Sequence, residues 1–419
     1  MTAAGDRQQL TPQARVVLAG SLVNALGTGL VLPFLLIYLH TVRGIPLGRT
    51  GLLLALPGLV GFVAGPTGGW LSDRYGARQV LVTGQVVSAG AAVLIACVHS
   101  AGWAAPVLAL YGIGNATFFP SQSGLFAQVA EGPLLQRMFA TNFVLINAGI
   151  GVGGLVAGAV ANVHHPGTFE LIYVLDGVTF AVYAVAVLSV RLPGGPVHEQ
   201  AREGSYREVL RHPLFWRVFG LAMLLAVIGY AEIDSGLPAF ATVTLGLPPR
   251  AVAVALVANT AVIVLGQFVV LRRIEHVRRT RCLLVVAALW TASWLLLGSG
   301  ALVGPHAARW VIVCAFAGLF GLGETFMAPT TGPLTNAVAP AHLRGRFFAA
   351  NSLAFSFAFT VAPPVATGLI GRHVGAVWFG LLVAGCVTLA LSARRLERRL
   401  TPEQNGALPL LDPETSLVL

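Results

Sequence analysis

The sequence predicts an all-α membrane protein whose twelve transmembrane helices form two parallel pseudo-repeats of six helices each. The first observation behind this prediction is composition, because 56% of the 419 residues are hydrophobic and 10% are charged, whereas about 25% are charged in a soluble domain. The second is that apolar runs recur along the whole chain, each close to the roughly 20 residues that a helix needs to cross a bilayer. The third is an internal repeat that relates the two halves of the chain.

The apolar runs give twelve helices, numbered one to twelve in chain order. Their predicted centres lie near Leu26, Val60, Gly90, Tyr111, Gly151, Phe180, Leu225, Val262, Ala288, Ala317, Phe357 and Ala384. An even number of spans places both termini on the same side of the membrane. The chain has 26 Arg and no Lys, and with a cytoplasmic N-terminus the arginines on the opposite side are only Arg43, Arg49, Arg250, Arg309 and Arg372. The positive-inside rule therefore predicts that both termini are cytoplasmic.

The composition also excludes several classes of function. The net charge of +10 follows from the topology, so it predicts contact with anionic membrane lipids and no nucleic-acid binding. The four cysteines lie in apolar stretches without the spacing of metal ligands or of a disulfide framework. With no phosphate-binding loop and no nucleophile beside a histidine, we expect no enzyme, no metal and no cofactor. Abundant Arg without Lys favours a bacterial source and hence the cell (inner) membrane.

Helices four and five recur as helices ten and eleven. The gapless alignment, shifted by 209 residues, pairs Gly112 with Gly321, Gly114 with Gly323, Pro120 with Pro329, Arg137 with Arg346 and Asn142 with Asn351. A shift of 205 residues pairs Pro33 of helix one with Pro238 of helix seven. Six helices per repeat give both halves the same orientation, with a site expected between them near mid-membrane. The predicted divisions are a cytoplasmic N-terminus (1–15), an N-terminal six-helix bundle (16–190), a cytoplasmic linker (191–217), a C-terminal six-helix bundle (218–393) and a cytoplasmic tail (394–419).

A short segment between helices two and three carries a recognisable motif. It runs Gly69-Trp70-Leu71-Ser72-Asp73-Arg74-Tyr75-Gly76-Ala77-Arg78 and resembles the G-x-L-a-D-R-x-G-r-[RK] signature of the major facilitator superfamily of transporters. The resemblance implies that Asp73, Arg74 and Arg78 belong to a latch that closes the cytoplasmic side. It also implies that Gly69 permits a close helix approach and that Gly76 permits a tight turn.

Helix five contains a second motif of the same family. The segment 149–158, GIGVGGLVAG, resembles the G-x-x-x-G-P-x-x-G-G motif of the twelve-helix drug:proton antiporter branch, with Gly154 where the motif has Pro. In helix four, Leu108 stands where that branch has an Arg. Small residues also let two helices pack backbone to backbone, so a hinge role and a packing role both stay open. The candidates are Gly149, Gly153, Gly154, Gly158 and Pro363.

Acidic side chains within the predicted helices are candidate proton carriers, because an ionisable group at that depth costs at least about 2.5–3.5 kcal/mol. They are Asp176 on helix six, Glu232 and Asp234 on helix seven, and Glu324 on helix ten. Glu324 is the first choice, since it lies slightly past the middle of a helix that flanks the cavity in the resembled family. Glu232 and Asp234 lie about 200° apart around a helix and cannot both face one cavity. For Asp176 we favour a structural hydrogen bond to helix five.

The substrate-cavity candidates are polar and aromatic residues, namely Asn24, Phe34, Asn115, Phe119, Gln122, Tyr230, Asn259 and Phe326. Their sparse hydrogen-bonding groups suit a lipophilic or amphipathic small molecule. We therefore predict a monomeric secondary active transporter that works by alternating access, with protons as the coupling ion and efflux of drugs or metabolites as the direction. The alternatives are a proton-coupled importer of a sugar, peptide or metabolite, and a nontransporting receptor or lipid-handling protein.

Overall fold

The computed structural model of the chain describes residues 10–31, 34–130, 132–190, 206–274, 277–340 and 343–406, and every regular element in these ranges is a helix. Pro33, residues 1–9, most of the linker (191–205) and the end of the tail (407–419) lie outside the described residues. The α-helices are α1 (Pro12–Val31), α2 (Leu35–Ile37), α3 (Leu47–Tyr75), α4 (Ala77–Ala96), α5 (Ala101–Ala116), α6 (Phe118–Val129), α7 (Gly132–Val160), α8 (Gly167–Ser189), α9 (Tyr206–Arg211), α10 (Phe215–Leu225), α11 (Ala231–Asp234), α12 (Gly236–Ala239), α13 (Pro249–Ile274), α14 (Arg279–Ser299), α15 (His306–Val338), α16 (Arg344–Gly371) and α17 (Gly375–Glu397). Shorter π-helical turns cover Tyr38–Val42, Ala226–Tyr230 and Phe240–Thr244, and a 3-10 turn covers Gly300–Leu302.

Within the described ranges, 11 helical segments are long and apolar enough to cross a membrane. The difference from twelve lies in predicted helix four, which consists of α5 with 16 residues and α6 with 12 residues. The two pieces meet at Thr117. Because Pro120 has no N–H group, the carbonyl of Ala116 has no helical partner at that point, and the helix is interrupted there. The predicted all-α membrane fold is confirmed, and the split of helix four accounts for the missing span.

The C-terminal ends of helices one and seven repeat a local structure. In each, a π-helical turn is followed by a glycine with positive φ, Gly44 at +69° and Gly246 at +65°. The residue after each glycine donates its N–H back to the turn, from Ile45 to Leu39 at 3.0 Å and from Leu247 to Ala241 at 2.9 Å. Glycine closes both helices because the left-handed conformation costs it nothing. This likeness extends the sequence repeat to backbone geometry.

Helix seven is discontinuous in the region that carries its acidic residues. The π-helical turn Ala226–Tyr230 follows α10, and a break at Ser235 separates α11 from α12. Pro238 lacks the N–H that would reach the Asp234 carbonyl, which accounts for the break. In the π-helical turn, the Ile228 carbonyl accepts a hydrogen bond from the Trp294 indole at 3.0 Å, which stabilises the turn. Interrupted helices of this kind often form binding sites in secondary transporters.

The chain divides into two compact units. The first unit comprises residues 1–201, 231–257 and 356–375, and the second comprises 202–230, 258–355 and 376–419. The bundle boundaries drawn from the sequence repeat stay a prediction.

In the first unit, α1 and α7 pack backbone to backbone. A Cβ atom added to Gly149 would lie 3.0 Å from the Leu22 carbonyl oxygen, and one added to Gly153 would overlap the Leu26 carbonyl oxygen. In contrast, a Cβ on Gly154 would meet its nearest neighbour, the Gly29 carbonyl oxygen, at 3.7 Å. Two adjacent glycines of the same motif therefore face different environments, one crowded and one open.

This difference predicts opposite effects of two alanine substitutions. Gly153→Ala should destabilise the protein by about 1–3 kcal/mol, because the added methyl group forces α1 and α7 apart. Gly154→Ala should be neutral or slightly stabilising, since alanine favours a helix by about 1 kcal/mol over glycine where there is room. Thermal unfolding of the two purified variants in the same detergent tests the pair. Equal losses of stability would contradict the assignment of Gly153 to the α1–α7 contact.

The second unit has an aromatic core between α14, α15 and α17. The Trp290 and Phe320 rings stack with centroids 4.5 Å apart, and Trp294 contacts Phe316 at 4.8 Å and Trp378 at 5.7 Å. The Trp290 indole N–H donates to the Phe320 carbonyl at 3.1 Å. Large aromatic side chains whose polar groups are satisfied hold these helices in a fixed register.

Candidate transport site

In the second unit, the carboxylate of Glu324 on α15 faces α13. Asn259 Nδ2 donates a hydrogen bond to Glu324 Oε2 at 2.7 Å and to the Ala317 carbonyl at 3.3 Å. A Cβ on Gly321, one turn before Glu324, would lie 2.8 Å from the Asn259 carbonyl oxygen. The absence of a side chain at Gly321 therefore lets the two helices approach closely enough for Asn259 to reach the carboxylate.

Tyr230 completes this group from the end of the π-helical turn in helix seven. It lies within electrostatic range of the Glu324 carboxylate, and its ring packs against Phe355 with centroids 5.7 Å apart. Gly323 lies against the Trp290 indole, where a Cβ would come within 2.6 Å of Nε1. The aromatic core thus fixes the part of α15 that carries Glu324. Three residues predicted from the sequence, Glu324, Asn259 and Tyr230, come together here, and Phe326 lies half-buried on the same helix.

Glu232 and Asp234, the two acids predicted on helix seven, belong to the first unit. Both lie on α11, four residues long, between the π-helical turn and the break at Ser235. Glu232 is buried at 3% exposure, whereas Asp234 is half-buried. Which of the two side chains faces a cavity stays a prediction.

Asp176 occupies the interior of the first unit. It is fully buried, and neither carboxylate oxygen has a hydrogen-bond partner among the residues that the structure describes. Gly27 of α1 packs directly on it, because a Cβ there would lie 2.5 Å from Asp176 Oδ1. The Tyr111 side chain of α5 approaches the carboxyl group without meeting the geometry of a hydrogen bond. On α1, one turn before Gly27, buried Asn24 has an Oδ1 atom that likewise lacks a hydrogen-bond partner in the described part of the chain.

The expected structural hydrogen bond from Asp176 to helix five is therefore wrong for the described part of the chain. Helix five, which is α7, packs on α1 through Gly149 and Gly153. Asp176 on α8 packs instead against Gly27, on the side of α1 that faces α8. The sequence did not reveal this because helix contacts depend on lateral packing, which hydropathy does not specify.

The latch segment lies at the end of α3 and the start of α4. Gly76 joins them with φ +93°, and its N–H donates to the Ser72 carbonyl at 2.9 Å. The Arg74 guanidinium lies over the Trp70 ring at 5.4 Å, and Arg78 donates to the Leu188 carbonyl. Only the backbone of Asp73 is described, so its role in the latch stays a prediction.

Gly76 makes the tight turn that the motif implies, but Gly69 is not the point of close approach. A Cβ on Gly69 would meet nothing within 4 Å, whereas one on Gly68 would lie 3.1 Å from the Thr117 Cα atom. Gly68 rather than Gly69 faces the break between α5 and α6. Such a one-residue difference rotates a position by about 100° around the helix, which a motif match alone cannot resolve.

Several predicted cavity residues lie in the packed interior of the first unit. Phe34 is fully buried, and Gln122 is buried within a hydrogen-bonded network. Gln122 Nε2 donates to the Tyr183 hydroxyl at 2.9 Å and to Ser21 Oγ at 3.3 Å, while Ser21 donates to Asn142 Oδ1 at 2.6 Å and Asn142 donates to Gln122 Oε1 at 3.2 Å. This network joins α1, α6, α7 and α8, and its satisfied groups indicate a structural role.

Two other predicted cavity residues are open to contact. Asn115 is half-buried and its side chain donates to the Tyr111 carbonyl of its own helix at 3.1 Å, and Phe119 is 65% exposed. Among the predicted hinge or packing residues, Gly158 packs against Ala253 of α13. Pro363 is buried within α16.

Sequence reasoning missed Tyr111 and Tyr183. The signal that could have found them is a tyrosine in the middle of an apolar helix. No group of three or more His, Cys, Asp or Glu that could hold a metal occurs among the described residues.

Comparison with known proteins decides the family. The family model of the Major Facilitator Superfamily matches residues 17–303 and 237–416. The chain belongs to the major facilitator superfamily. It is therefore a multi-pass membrane transporter and not an enzyme.

Curated relatives of this superfamily member match it over most or part of their length. It is 22% identical to an MFS-type transporter, YqjV of Bacillus subtilis, over 95% of this chain and 98% of the relative. It is 25% identical to a Na(+), Li(+), K(+)/H(+) antiporter of Planococcus maritimus over 83% of this chain and 87% of the relative. It is 24% identical to the quinolone resistance protein NorA of Staphylococcus aureus over 52% of this chain and 53% of the relative.

Solved structures of the superfamily share the fold. A POT family peptide transporter superposes with a TM-score of 0.73 at 12% identity, covering 93% of this chain and 98% of that one. A bacterial homologue of the lysosomal transporter Spinster gives 0.71 at 14% identity, covering 95% and 100%. These likenesses concern the fold alone.

Proposed function

We propose that this transporter exports small lipophilic or amphipathic compounds in exchange for protons, by alternating access. The observation that supports this most directly is the Asn259–Glu324 hydrogen bond at 2.7 Å, beside Tyr230 on an interrupted helix. A carboxylate held at membrane depth is costly, and its retention favours a role in ion coupling. The names of two relatives, a quinolone resistance protein and a cation/H(+) antiporter, agree with efflux and with proton exchange.

In the proposed cycle, Glu324 is the main proton-binding group. When it is ionised, Asn259 Nδ2 donates a charge-assisted hydrogen bond to it, about twice as strong as a neutral one. Proton binding removes that charge and weakens the link between α13 and α15. Substrate and proton then favour different conformations of the same transporter, as antiport requires. Glu232, Asp234 and Asp176 are further proposed carriers, and the segment Gly69–Arg78 is the proposed cytoplasmic latch.

The test of this function is efflux measured in inverted membrane vesicles. A fluorescent lipophilic cation should accumulate when a proton gradient is imposed, and a protonophore should collapse that accumulation. Vesicles without the protein are the control. Transport that is indifferent to the pH gradient would contradict proton antiport, and accumulation in right-side-out vesicles would favour the importer instead. A drug-susceptibility panel in an efflux-deficient bacterial host would then define the substrates.

A second candidate function is exchange of a monovalent cation for protons. The buried oxygens of Asp176 on α8 and Asn24 on the neighbouring helix α1 favour it, because both carboxylate oxygens and the Asn24 Oδ1 atom are acceptors without partners among the described residues. Oxygen acceptors of this kind can bind either a proton or a hard cation. Uptake of radioactive sodium into vesicles with an outward proton gradient distinguishes the two, since a drug exporter would not take up sodium.

A further inference from the structure

A basic pocket lies at the ends of α14 and α17, on the side that the arginine distribution predicts to be cytoplasmic. Its volume is about 640 Å³, and its lining consists of Arg278, Arg281, Leu284, Arg394, Glu397 and Arg398. All of these residues belong to the second unit. Four arginines and a single acid leave the pocket strongly positive.

Glu397 holds two of the arginines side by side. Its Oε1 atom lies 2.9 Å from Arg278 Nη1 and 3.7 Å from Arg281 Nε. These two arginine side chains remain 46% and 63% exposed, and each guanidinium has five N–H donors. Both therefore keep donors that can bind an anion. Arg394 and Arg398 are exposed, and neither forms an ion pair within the part of the chain that the structure describes.

The C-terminal tail holds the first turn of α14, which directly follows Arg278. Asn405 is buried, accepts the Thr280 N–H at 3.0 Å and donates to Thr280 Oγ1 at 3.0 Å. The Arg279 N–H donates to the Asn405 carbonyl at 2.8 Å, and the Arg279 side chain donates to the Gln404 carbonyl at 2.8 Å. The tail thus engages Arg279, while its neighbours Arg278 and Arg281 line the pocket. A helix start held in this way presents Arg278 and Arg281 in a preorganised arrangement.

An apolar stripe leads from the membrane-spanning part of α17 to the pocket. Val387 and Leu391 are about half-exposed, and they share one face of α17 with Arg394, because positions i, i+4 and i+7 lie on one side. Arg398 directly follows the end of α17 and lines the same pocket. Leu284 of α14 borders the same pocket. An aliphatic surface that ends in guanidinium groups at the helix ends matches the order of acyl chain and headgroup in a phospholipid.

We propose that this pocket binds the phosphodiester headgroup of an anionic phospholipid, with an acyl chain along Val387 and Leu391. Arginine suits this ligand because its planar fork can form two parallel hydrogen bonds to phosphate oxygens. None of the residues that line the pocket or the stripe belongs to the Glu324 group, so the proposed lipid site does not depend on the proposed transport function.

The test compares two double variants that each remove two positive charges from the C-terminal end of α17 and the turn that follows it. Arg394→Gln with Arg398→Gln changes the pocket, whereas Arg395→Gln with Arg399→Gln changes exposed arginines that do not line it. The full-length proteins, purified in detergent, are titrated with phosphatidylglycerol, phosphatidylcholine or sodium phosphate. Bound lipid is counted by native mass spectrometry, and Tm is measured in parallel. We expect the wild type and the R395Q/R399Q protein to retain phosphatidylglycerol, and the R394Q/R398Q protein to bind it roughly tenfold more weakly, about 1.4 kcal/mol.

Three results would overturn the proposal. One is equal retention of phosphatidylglycerol by both double variants, which would indicate attraction by net charge alone. Another is equal binding of phosphatidylcholine, and the third is displacement of the lipid by millimolar inorganic phosphate, which would make the pocket a site for free anions. If the R394Q/R398Q protein cannot be purified, Arg281→Gln, at an exposed position of the same pocket, replaces it with the same expected loss.

Discussion

Glu324→Gln is expected to abolish transport that is driven by a proton gradient, with a loss of roughly a hundredfold or about 2.8 kcal/mol. Glutamine keeps the size of the side chain and can still bond with Asn259, but it cannot bind and release a proton. The measurement is the initial rate of efflux in inverted vesicles, normalised to the amount of folded protein.

Two controls make this result specific. Exchange of labelled for unlabelled substrate without a gradient should persist in the Glu324→Gln protein, since only the coupling is lost. Asn259→Ala should reduce the rate by a smaller factor, roughly tenfold, because it removes the hydrogen-bond donor and leaves the acid in place. Full gradient-driven efflux by Glu324→Gln would exclude Glu324 from the mechanism.

Asp176→Asn is expected to lower transport at least tenfold while leaving the fold intact. A buried carboxyl group that lacks a hydrogen-bond partner destabilises a protein, and its neutral isostere should leave Tm unchanged or raise it. Loss of transport without loss of stability would assign Asp176 to ion coupling. A lowered Tm with normal transport per folded molecule would instead assign it a structural role and contradict the proposal.

Gln85→Met is the matched control for Asp176→Asn. Gln85 on α4 is also buried in the first unit with an oxygen, Oε1, that has no partner in the described ranges. It cannot ionise, so its replacement should not affect transport. If both substitutions reduced transport equally, the effect would follow from disturbed packing rather than from the carboxyl group.

The interruptions of helices four and seven show how far the local sequence predicts where a helix breaks. Pro120 and Pro238 each remove an N–H group, and both helices break nearby. Pro329, which aligns with Pro120, lies within α15, and that helix continues for 33 residues. A proline therefore predicts a weak point in a helix, while the contacts around it decide whether the helix breaks.

The sequence by itself determined the helical membrane fold, the internal repeat, the family and the acidic residues that persist at membrane depth. Each of these depends on hydropathy, charge or motif spacing, which are properties of the chain. The tertiary structure decided which polar groups meet. It brought Glu324 to Asn259, left Asp176 without a partner among the described residues, and placed Gln122 in a structural network instead of an open cavity. The physical reason is that lipid tails are as apolar as leucine, so the hydrophobic pattern of a membrane helix does not specify which of its faces contacts a neighbour.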